Sequence, residues 1–310
     1  MKIGFLFPGQ GSQTIGMGKD LYDEYEEYRN VYSRVNKILN TNLEDITFYG
    51  SEEDLNQTKN TQISILTMSL AILELLKKEG IEAEASMGLS LGEYSALMYN
   101  NVFSFEDGIK IVKKRGELMQ NLCPNGDWSM AALLGLDEEK VTEICNNINS
   151  GFVSAANYNC PGQIVISGEK SAVNEAIEQA KVAGAKKAIE LKTSGPFHTI
   201  KLEEASKELR KELDNIEINN VKSKVIKNID GKEYSENDSI KDVLAAHIIN
   251  PVRFEDSIKN MLDMGVDTFI EVGPGKALSG FVKRTDKTVN ILNINNVESF
   301  NNTVKFIKEN

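Results

Sequence analysis

The 310-residue chain has few of the residues that mark several classes of protein. Its cysteines, Cys123, Cys145 and Cys160, are odd in number and lack metal-ligand spacing, so we expect reduced thiols and neither a disulfide framework nor a metal site. The longest apolar segment, 63–76, is interrupted by hydroxyl side chains and a glutamate, which predicts a buried helix and not a membrane span. The apolar start, MKIGFLFPGQ, is too short for a signal peptide. We therefore predict a cytoplasmic protein without membrane contact.

Positive charge is also scarce. The chain has 35 Lys and Arg against 46 Asp and Glu, a net charge of −11. Phosphate backbones require clustered positive charge, so we expect no nucleic-acid partner. The hydrophobic fraction, 41%, is ordinary for a soluble globular enzyme. The length allows one large domain with an inserted subdomain.

The order of apolar patterns predicts an α/β fold with an insertion. The segments KIGFLF at 2–7 and DTFIEV at 267–272 are typical of buried parallel strands. Between residues 127 and 194 the pattern changes to β-α-β-β-α-β, the order of ferredoxin-like subdomains. We predict a core formed by 1–126 and 195–310, with a ferredoxin-like subdomain at 127–194 inserted into it.

The segment GLSLG at 88–92 carries the most specific short motif. An apolar strand is predicted before Ser90 and a helix after it, which is the context that a nucleophile elbow requires. Glycines on both sides allow close passage of the backbone, and the helix start directs N–H groups at an oxyanion. The alternative is a tight turn with an incidental serine. We take Ser90 as the candidate nucleophile.

The chain contains two histidines, so the candidates for a general base are His198 and His247. His198 lies in the loop SGPFHT directly after the predicted insertion, where it can face a cleft. His247 lies at a predicted helix end. We prefer His198. No acidic residue can be singled out as its partner, and a backbone carbonyl in that place would leave a Ser–His dyad.

Arg115 lies within an apolar helical stripe, since Val112 precedes it by three residues and Met119 follows by four. A guanidinium on a buried face must be paired, and arginine meets a carboxylate through two parallel hydrogen bonds. Arg115 therefore either holds an internal Asp or Glu or binds an acidic ligand.

The loop PGQGSQ at 8–13 follows the first strand. It lacks the Lys-Ser/Thr of a phosphate-binding loop, so a nucleotide site is disfavoured. We expect it to supply the backbone N–H of Gln10 to an oxyanion hole, because an elbow needs a second donor from a separate loop. A plain strand-to-helix turn is the alternative.

Seven segments together resemble one family, the malonyl-CoA:acyl carrier protein transacylases, which load bacterial fatty-acid synthesis. The resemblance is in register from residue 3 to about 285. It is carried by FPGQGSQ (7–13), GLSLGEYSAL (88–97), Arg115 in VKKRGELMQ, NYNCPGQIVISG (157–168), GPFH (195–198), NPVRF (250–254) and EVGPGKALSG (271–280).

This resemblance implies an α/β-hydrolase-like core with the ferredoxin-like insertion. It implies transfer of a malonyl group from malonyl-CoA, a substrate, to the pantetheine thiol of acyl carrier protein by a monomer without a cofactor. Ser90 would be the nucleophile, His198 the base, the amides of Gln10 and Leu91 the oxyanion hole, and Arg115 the malonyl carboxylate site. The remaining predicted substrate-binding positions are Gln62, Asn157, Met119, Phe197 and His247.

The chain departs from the family pattern at two positions. Leu89 precedes the nucleophile where histidine is common. His247 stands where glutamine is common, at the position whose backbone carbonyl orients the catalytic histidine. Phe197 resembles the pattern of malonyl-selective members. Because the carrier protein is acidic, we also predict a basic patch at the cleft mouth, formed by Lys186, Lys187, Lys283 and Arg284.

Three other functions remain open from the sequence. The same elbow fits a serine esterase or thioesterase that transfers the acyl group to water. A trans-acting acyltransferase of polyketide synthesis would have a similar sequence. A carrier-protein docking module without catalysis is disfavoured by the joint presence of Ser90, His198 and Arg115.

Overall fold

A computed structural model describes residues 1–191, 193, 195–221 and 223–310. The fold is mixed α/β, with one parallel and one antiparallel sheet. The strands are β1 (Ile3–Phe7), β2 (Ala85–Gly88), β3 (Trp128–Leu134), β4 (Val153–Cys160), β5 (Gln163–Glu169), β6 (Lys187–Leu191), β7 (Lys224–Val225), β8 (Thr268–Val272) and β9 (Asn290–Ile294). The helices are α1 (Lys19–Glu24), α2 (Glu26–Leu39), α3 (Leu43–Thr47), α4 (Glu52–Leu55), α5 (Thr58–Lys78), α6 (Gly92–Tyr99), α7 (Phe105–Asn121), α8 (Glu138–Asn146), α9 (Lys170–Val182), α10 (Glu203–Asp214), α11 (Ile240–His247), α12 (Phe254–Asp263), α13 (Ala277–Thr285) and α14 (Val297–Glu309).

The parallel sheet has the strand order β7-β2-β1-β8-β9. Strands β1 and β8 are buried along their whole length, as expected for parallel strands covered on both faces. Phe7 pairs with Gly88 in the last register position of β1 and β2. The loops that follow these two strands therefore begin side by side at the carboxyl edge of the sheet.

The antiparallel sheet has the order β4-β5-β3-β6. One face packs on α8 and α9 through Val141, Ile144 and Val173. The opposite face presents Met130 and Val165 to the main core. This sheet spans most of the predicted insertion at 127–194. The insertion's last residue, Ser194, lies outside the described residues, and its boundaries stay a prediction.

The apolar segment 63–76, with its hydroxyl side chains, lies within the buried helix α5. The hydroxyl of Thr67 donates to the carbonyl of Ile63 at 2.7 Å, and that of Ser69 donates to the carbonyl of Val272 at 2.9 Å. These side chains are buried with their hydrogen bonds made, one of them to β8 of the parallel sheet. Among the helices that the structure describes, none is long and apolar enough to cross a membrane.

Two local predictions differ from the structure. The sequence predicts a single helix from about residue 18 to 39, but Tyr25 takes an extended conformation (φ −111°, ψ 125°) that separates α1 from α2. Its ring packs edge-on against Phe300 in α14 at 5.4 Å, a contact distant in sequence. The sequence also predicts a strand over 225–228, but β7 ends at Val225, and the chain beyond it turns so that Asn228 contacts the loop after β2.

Candidate active site

Ser90 lies on a sharp turn between β2 and α6. Its φ of 53° is in the left-handed region, which costs a non-glycine residue about 1 kcal/mol or more. The flanking glycines make this turn possible. A Cβ on Gly88 would lie 2.0 Å from the carbonyl carbon of Gly92, and one on Gly92 would lie 2.0 Å from the carbonyl oxygen of Phe7. The turn thus holds the serine side chain at the carboxyl edge of the parallel sheet.

His198 is hydrogen bonded to Ser90. Its Nε2 lies 2.8 Å from Ser90 Oγ, and its Nδ1 lies 2.9 Å from the backbone carbonyl of His247. Because a carbonyl only accepts, Nδ1 carries the proton, and the Nε2 of the neutral ring accepts from the serine hydroxyl. His198 is 4% exposed and has a φ of 60°, so both members of the pair have strained backbones. The arrangement is a serine with an oriented general base.

Arg115 contacts the same serine oxygen. One terminal nitrogen donates to Ser90 Oγ at 3.1 Å, and the other donates to Gln62 Oε1 at 2.8 Å. The guanidinium is 1% exposed, and no carboxylate of the described residues forms an ion pair with it. Burial lowers the pKa of Arg115 below its ordinary value, while the neighbouring Tyr94 and Glu93 act to raise it. Of the two interpretations that the sequence left open, this geometry favours an acidic ligand.

Two backbone N–H groups in the loops after β1 and β2 are candidates for an oxyanion hole, and neither has a hydrogen-bond acceptor among the described residues. One belongs to Leu91, at the start of α6, and the other to Gln10, in the loop after β1. Both follow the paired strand ends, Phe7 and Gly88. Two free donors from separate loops beside a nucleophile are what an oxyanion hole requires.

The serine opens into a cleft with a volume of about 750 Å³ between the two sheets. Its far wall is the apolar face of the antiparallel sheet, with Met130, Ala132, Val165 and Leu191. Of the predicted site residues, those that line the cleft are Gln10, Gln62, Ser90, Met119, Asn157, Phe197 and His198. Leu91 is 1% exposed at the elbow. The His247 side chain lies behind His198, with its ring 4.9 Å away, and does not line the cleft.

Comparison of this chain with known proteins identifies its family. A family model described as an acyl transferase domain matches residues 4–305. The malonyl CoA-acyl carrier protein transacylase of Bacillus subtilis strain 168 is 42% identical over 310 residues, covering 99% of this chain and 98% of that one. The chain belongs to the malonyl CoA-acyl carrier protein transacylase family.

Solved structures of other transacylases agree with this assignment. The enzyme from Clostridium perfringens is 45% identical, with a TM-score of 0.96 covering 100% of this chain and 98% of that one. A second structure, a malonyl-transacylase in complex with a type II polyketide synthase acyl-carrier protein, is 34% identical. Its TM-score is 0.95, covering 99% of this chain and 100% of that chain.

Two site residues of this transacylase family member were not predicted from the sequence. Asn228 accepts a hydrogen bond from the N–H of Ser90 at 2.7 Å and donates one to the carbonyl of Gly88 at 2.7 Å. Glu93 is fully buried beneath the elbow, with Oε2 3.1 Å from Nδ1 of His247. The signal for Glu93 was a single carboxylate at the start of the otherwise apolar GEYSALMY. Asn228 gave no signal, because it is distant in sequence and follows a two-residue strand.

The environment of His198 predicts how this transacylase depends on pH. Burial lowers the pKa of His198 well below 6.5, and the nearby His247 and Arg115 lower it further. A general base acts in its neutral form, so we expect activity to be lost as pH falls through this lowered pKa. We expect the acid limb of kcat/KM to have its midpoint below pH 6.5, measured with circular dichroism as a control for folding. A midpoint at or above pH 6.5 would contradict this environment.

Proposed function

We propose that this chain transfers a malonyl group from malonyl-CoA to the pantetheine thiol of acyl carrier protein through a malonyl-Ser90 intermediate. One observation carries the proposal: the oxygen of Ser90 is contacted both by a neutral imidazole, which can remove its proton, and by a buried guanidinium without a carboxylate partner. A nucleophile and a carboxylate-binding group in contact fit an acyl group with a free carboxylate at its far end.

In the first half-reaction, His198 takes the hydroxyl proton as Ser90 Oγ attacks the thioester carbonyl. The amides of Gln10 and Leu91 hold the oxyanion. As the C–S bond breaks, the imidazolium returns its proton to the leaving sulfur, and CoA departs. A positioned base contributes roughly 10²–10⁴-fold in rate, and one oxyanion donor roughly 10²–10³-fold.

The second half-reaction reverses the roles. His198 takes the proton of the pantetheine thiol, the sulfur attacks the acyl-serine carbonyl, and the C–O bond to Ser90 breaks. The imidazolium then gives its proton to Ser90 Oγ, which restores the free enzyme. Both leaving groups therefore use the same base, as the Ser–His dyad allows.

The malonyl carboxylate is assigned to Arg115, which would exchange its donation to Ser90 for a bidentate contact. Gln62 holds the other side of the guanidinium, and its amide nitrogen lies 3.5 Å from the sulfur of Met119. Asn157 and Phe197 line the acyl cleft. His247 acts through its backbone carbonyl, which accepts from Nδ1 of His198, and the histidine at this position keeps that acceptor where glutamine is common in the family.

We also propose that the parallel-sheet part is an α/β-hydrolase-like core and that 127–194 form a ferredoxin-like subdomain. The elbow after β2 and the β-α-β-β-α-β order of β3 to β6 support this division. A monomer in the cytoplasm, without a cofactor, remains the simplest setting for this reaction.

The predicted basic patch is proposed as the carrier-protein contact. Lys186, Lys187, Lys283 and Arg284 are exposed, and none forms an ion pair with another described residue. Arg284 donates to Gln163, which lines the cleft. Gln163 and Lys187 both pair with Leu134, so Lys187 and the partner of Arg284 lie at the same end of the antiparallel sheet.

Reversing two of these charges should weaken carrier-protein binding. We expect the double variant Lys283→Glu, Arg284→Glu to raise the KM for acyl carrier protein about tenfold at low salt, with a smaller effect at high salt. The control, Lys37→Glu with Lys305→Glu, makes the same change in net charge on exposed positions of α2 and α14. An unchanged KM in the first variant, or an equal rise in both, would reject this contact.

Product analysis tests the proposed function against hydrolysis. The protein is incubated with malonyl-CoA and pantetheinylated carrier protein, and malonyl-carrier protein and free malonate are quantified. We expect the carrier protein to receive most of the malonyl group, and the carrier protein without pantetheine to receive none. Malonate as the main product would identify a thioesterase instead.

A further inference from the structure

Glu93 is a buried carboxylate directly beneath the catalytic pair. It lies in the first turn of α6, is 0% exposed, and forms no ion pair with a lysine or arginine of the described chain. Its Oε1 accepts from the hydroxyl of Tyr234 at 2.5 Å, and its Oε2 accepts from the N–H of Asn228 at 3.2 Å. A carboxylate without a close cation is costly to bury unless its oxygens are occupied. These contacts fix it in one orientation.

On one side, Glu93 holds the residue that supports the nucleophile. Asn228 receives the N–H of Ser90 and donates to the carbonyl of Gly88, so its side chain spans the strained turn. The backbone N–H of the same Asn228 donates to Glu93. Displacing the carboxylate would release Asn228 and, with it, the left-handed conformation of Ser90.

On the other side, Glu93 meets the residue that orients the base. Its Oε2 lies 3.1 Å from Nδ1 of His247, whose ring is fully buried and whose two nitrogens have no hydrogen-bond partner among the described residues. The carbonyl of His247 receives Nδ1 of His198, and the two rings pack 4.9 Å apart. Glu93 therefore contacts the support of Ser90 and the support of His198 with one oxygen.

We propose that Glu93 is the positioning residue that couples the two halves of the catalytic pair. In a catalytic triad the acidic residue contacts the histidine directly. Glu93 contacts neither Ser90 nor His198 and instead reaches Ser90 through Asn228 and His198 through His247. The use of malonyl-CoA as the substrate rests on the proposed function. The effect of Glu93 on the reactivity of Ser90 can be measured separately, with a serine reagent that carries no malonyl group.

The test compares Glu93→Gln with the wild type in two assays. The first is the rate at which phenylmethylsulfonyl fluoride labels Ser90, followed by intact mass and expressed per folded molecule. The second is kcat and KM for malonyl transfer. We expect labelling and kcat to fall about 10²-fold, as for a misplacement of reacting groups by about 1 Å. The KM for malonyl-CoA should stay within about twofold, because neither Arg115 nor Gln62 forms a hydrogen bond or ion pair with Glu93.

A matched control separates positioning from stability. Glu271 is the other fully buried carboxylate of the described residues, and it accepts from Leu278 and Ser279 at the start of α13. Glu271→Gln should lower the melting temperature while leaving labelling per folded molecule unchanged. If Glu93→Gln does not fold, Tyr234→Phe is used in its place, because it removes a single hydrogen bond to the same carboxylate. We expect this variant to slow the labelling of Ser90 about threefold.

An unchanged labelling rate in folded Glu93→Gln would overturn the inference. If Glu93→Gln does not fold, an unchanged labelling rate in Tyr234→Phe would overturn it. A fall in the labelled fraction at an unchanged rate would also overturn it, because that is the signature of a purely structural role. If the wild type is labelled by the reagent but never acylated by malonyl-CoA, the proposed function fails, while the labelling rates still decide the role of Glu93.

Discussion

Replacing Ser90 with alanine is expected to abolish acyl-enzyme formation and to reduce malonyl transfer by roughly 10⁴–10⁶-fold. The substitution removes the one oxygen that contacts both His198 and Arg115. In the proposed mechanism both half-reactions pass through this oxygen, so we expect the remaining groups to bind substrate without accepting the acyl group. The measurements are the rate of malonyl-carrier protein formation and the intact mass after exposure to malonyl-CoA.

Ser95→Ala is the matched control for this substitution. Ser95 is a fully buried serine on α6, the helix that follows Ser90, and its hydroxyl has no hydrogen-bond partner among the described residues. Its removal should leave transfer within about twofold of the wild type. If Ser90→Ala kept about a tenth of the wild-type rate or more, another residue would have to be the nucleophile.

Replacing Arg115 with alanine is expected to remove the preference for malonyl over acetyl groups. In the native cleft an acetyl group leaves the guanidinium buried without an anion, at a cost of about 3 kcal/mol. That difference corresponds to about 10² in the ratio of the two kcat/KM values. We expect the ratio to fall by about this factor, mainly through loss of malonyl transfer.

The control for Arg115→Ala is Arg210→Ala. Arg210 is a partly exposed arginine on α10 that pairs with Asp214 and Asp242. Exposed ion pairs contribute little, so this variant should keep the wild-type ratio. An unchanged malonyl-to-acetyl ratio in Arg115→Ala would show that the carboxylate is recognised elsewhere.

The parts of the site that lie in short segments could be predicted from the sequence. The glycines around Ser90 specify the turn because a Cβ at either would collide with backbone. The scarcity of histidine reduced the choice of base to two residues, and both meet at the site, one by its ring and one by its carbonyl. The apolar stripe on α7 placed Arg115 on the buried face, but its partner could not be read from the stripe.

The parts that depend on distant contacts could not be predicted. Asn228 reaches Ser90 across 138 residues of chain, from the end of a strand of two residues. The break at Tyr25 coincides with a ring contact to Phe300 near the end of the chain. Glu93 was visible in the motif, but its role depends on Asn228, Tyr234 and His247, which only the folded chain brings together.

The most direct test of this account is the intact mass of the protein in two steps. The protein is mixed briefly with malonyl-CoA, freed of CoA, and then given pantetheinylated acyl carrier protein. We predict one malonyl increment on Ser90, located by peptide mapping, that moves to the carrier protein in the second step. An increment lost as free malonate, one located on another residue, or none at all would contradict acyl transfer through Ser90.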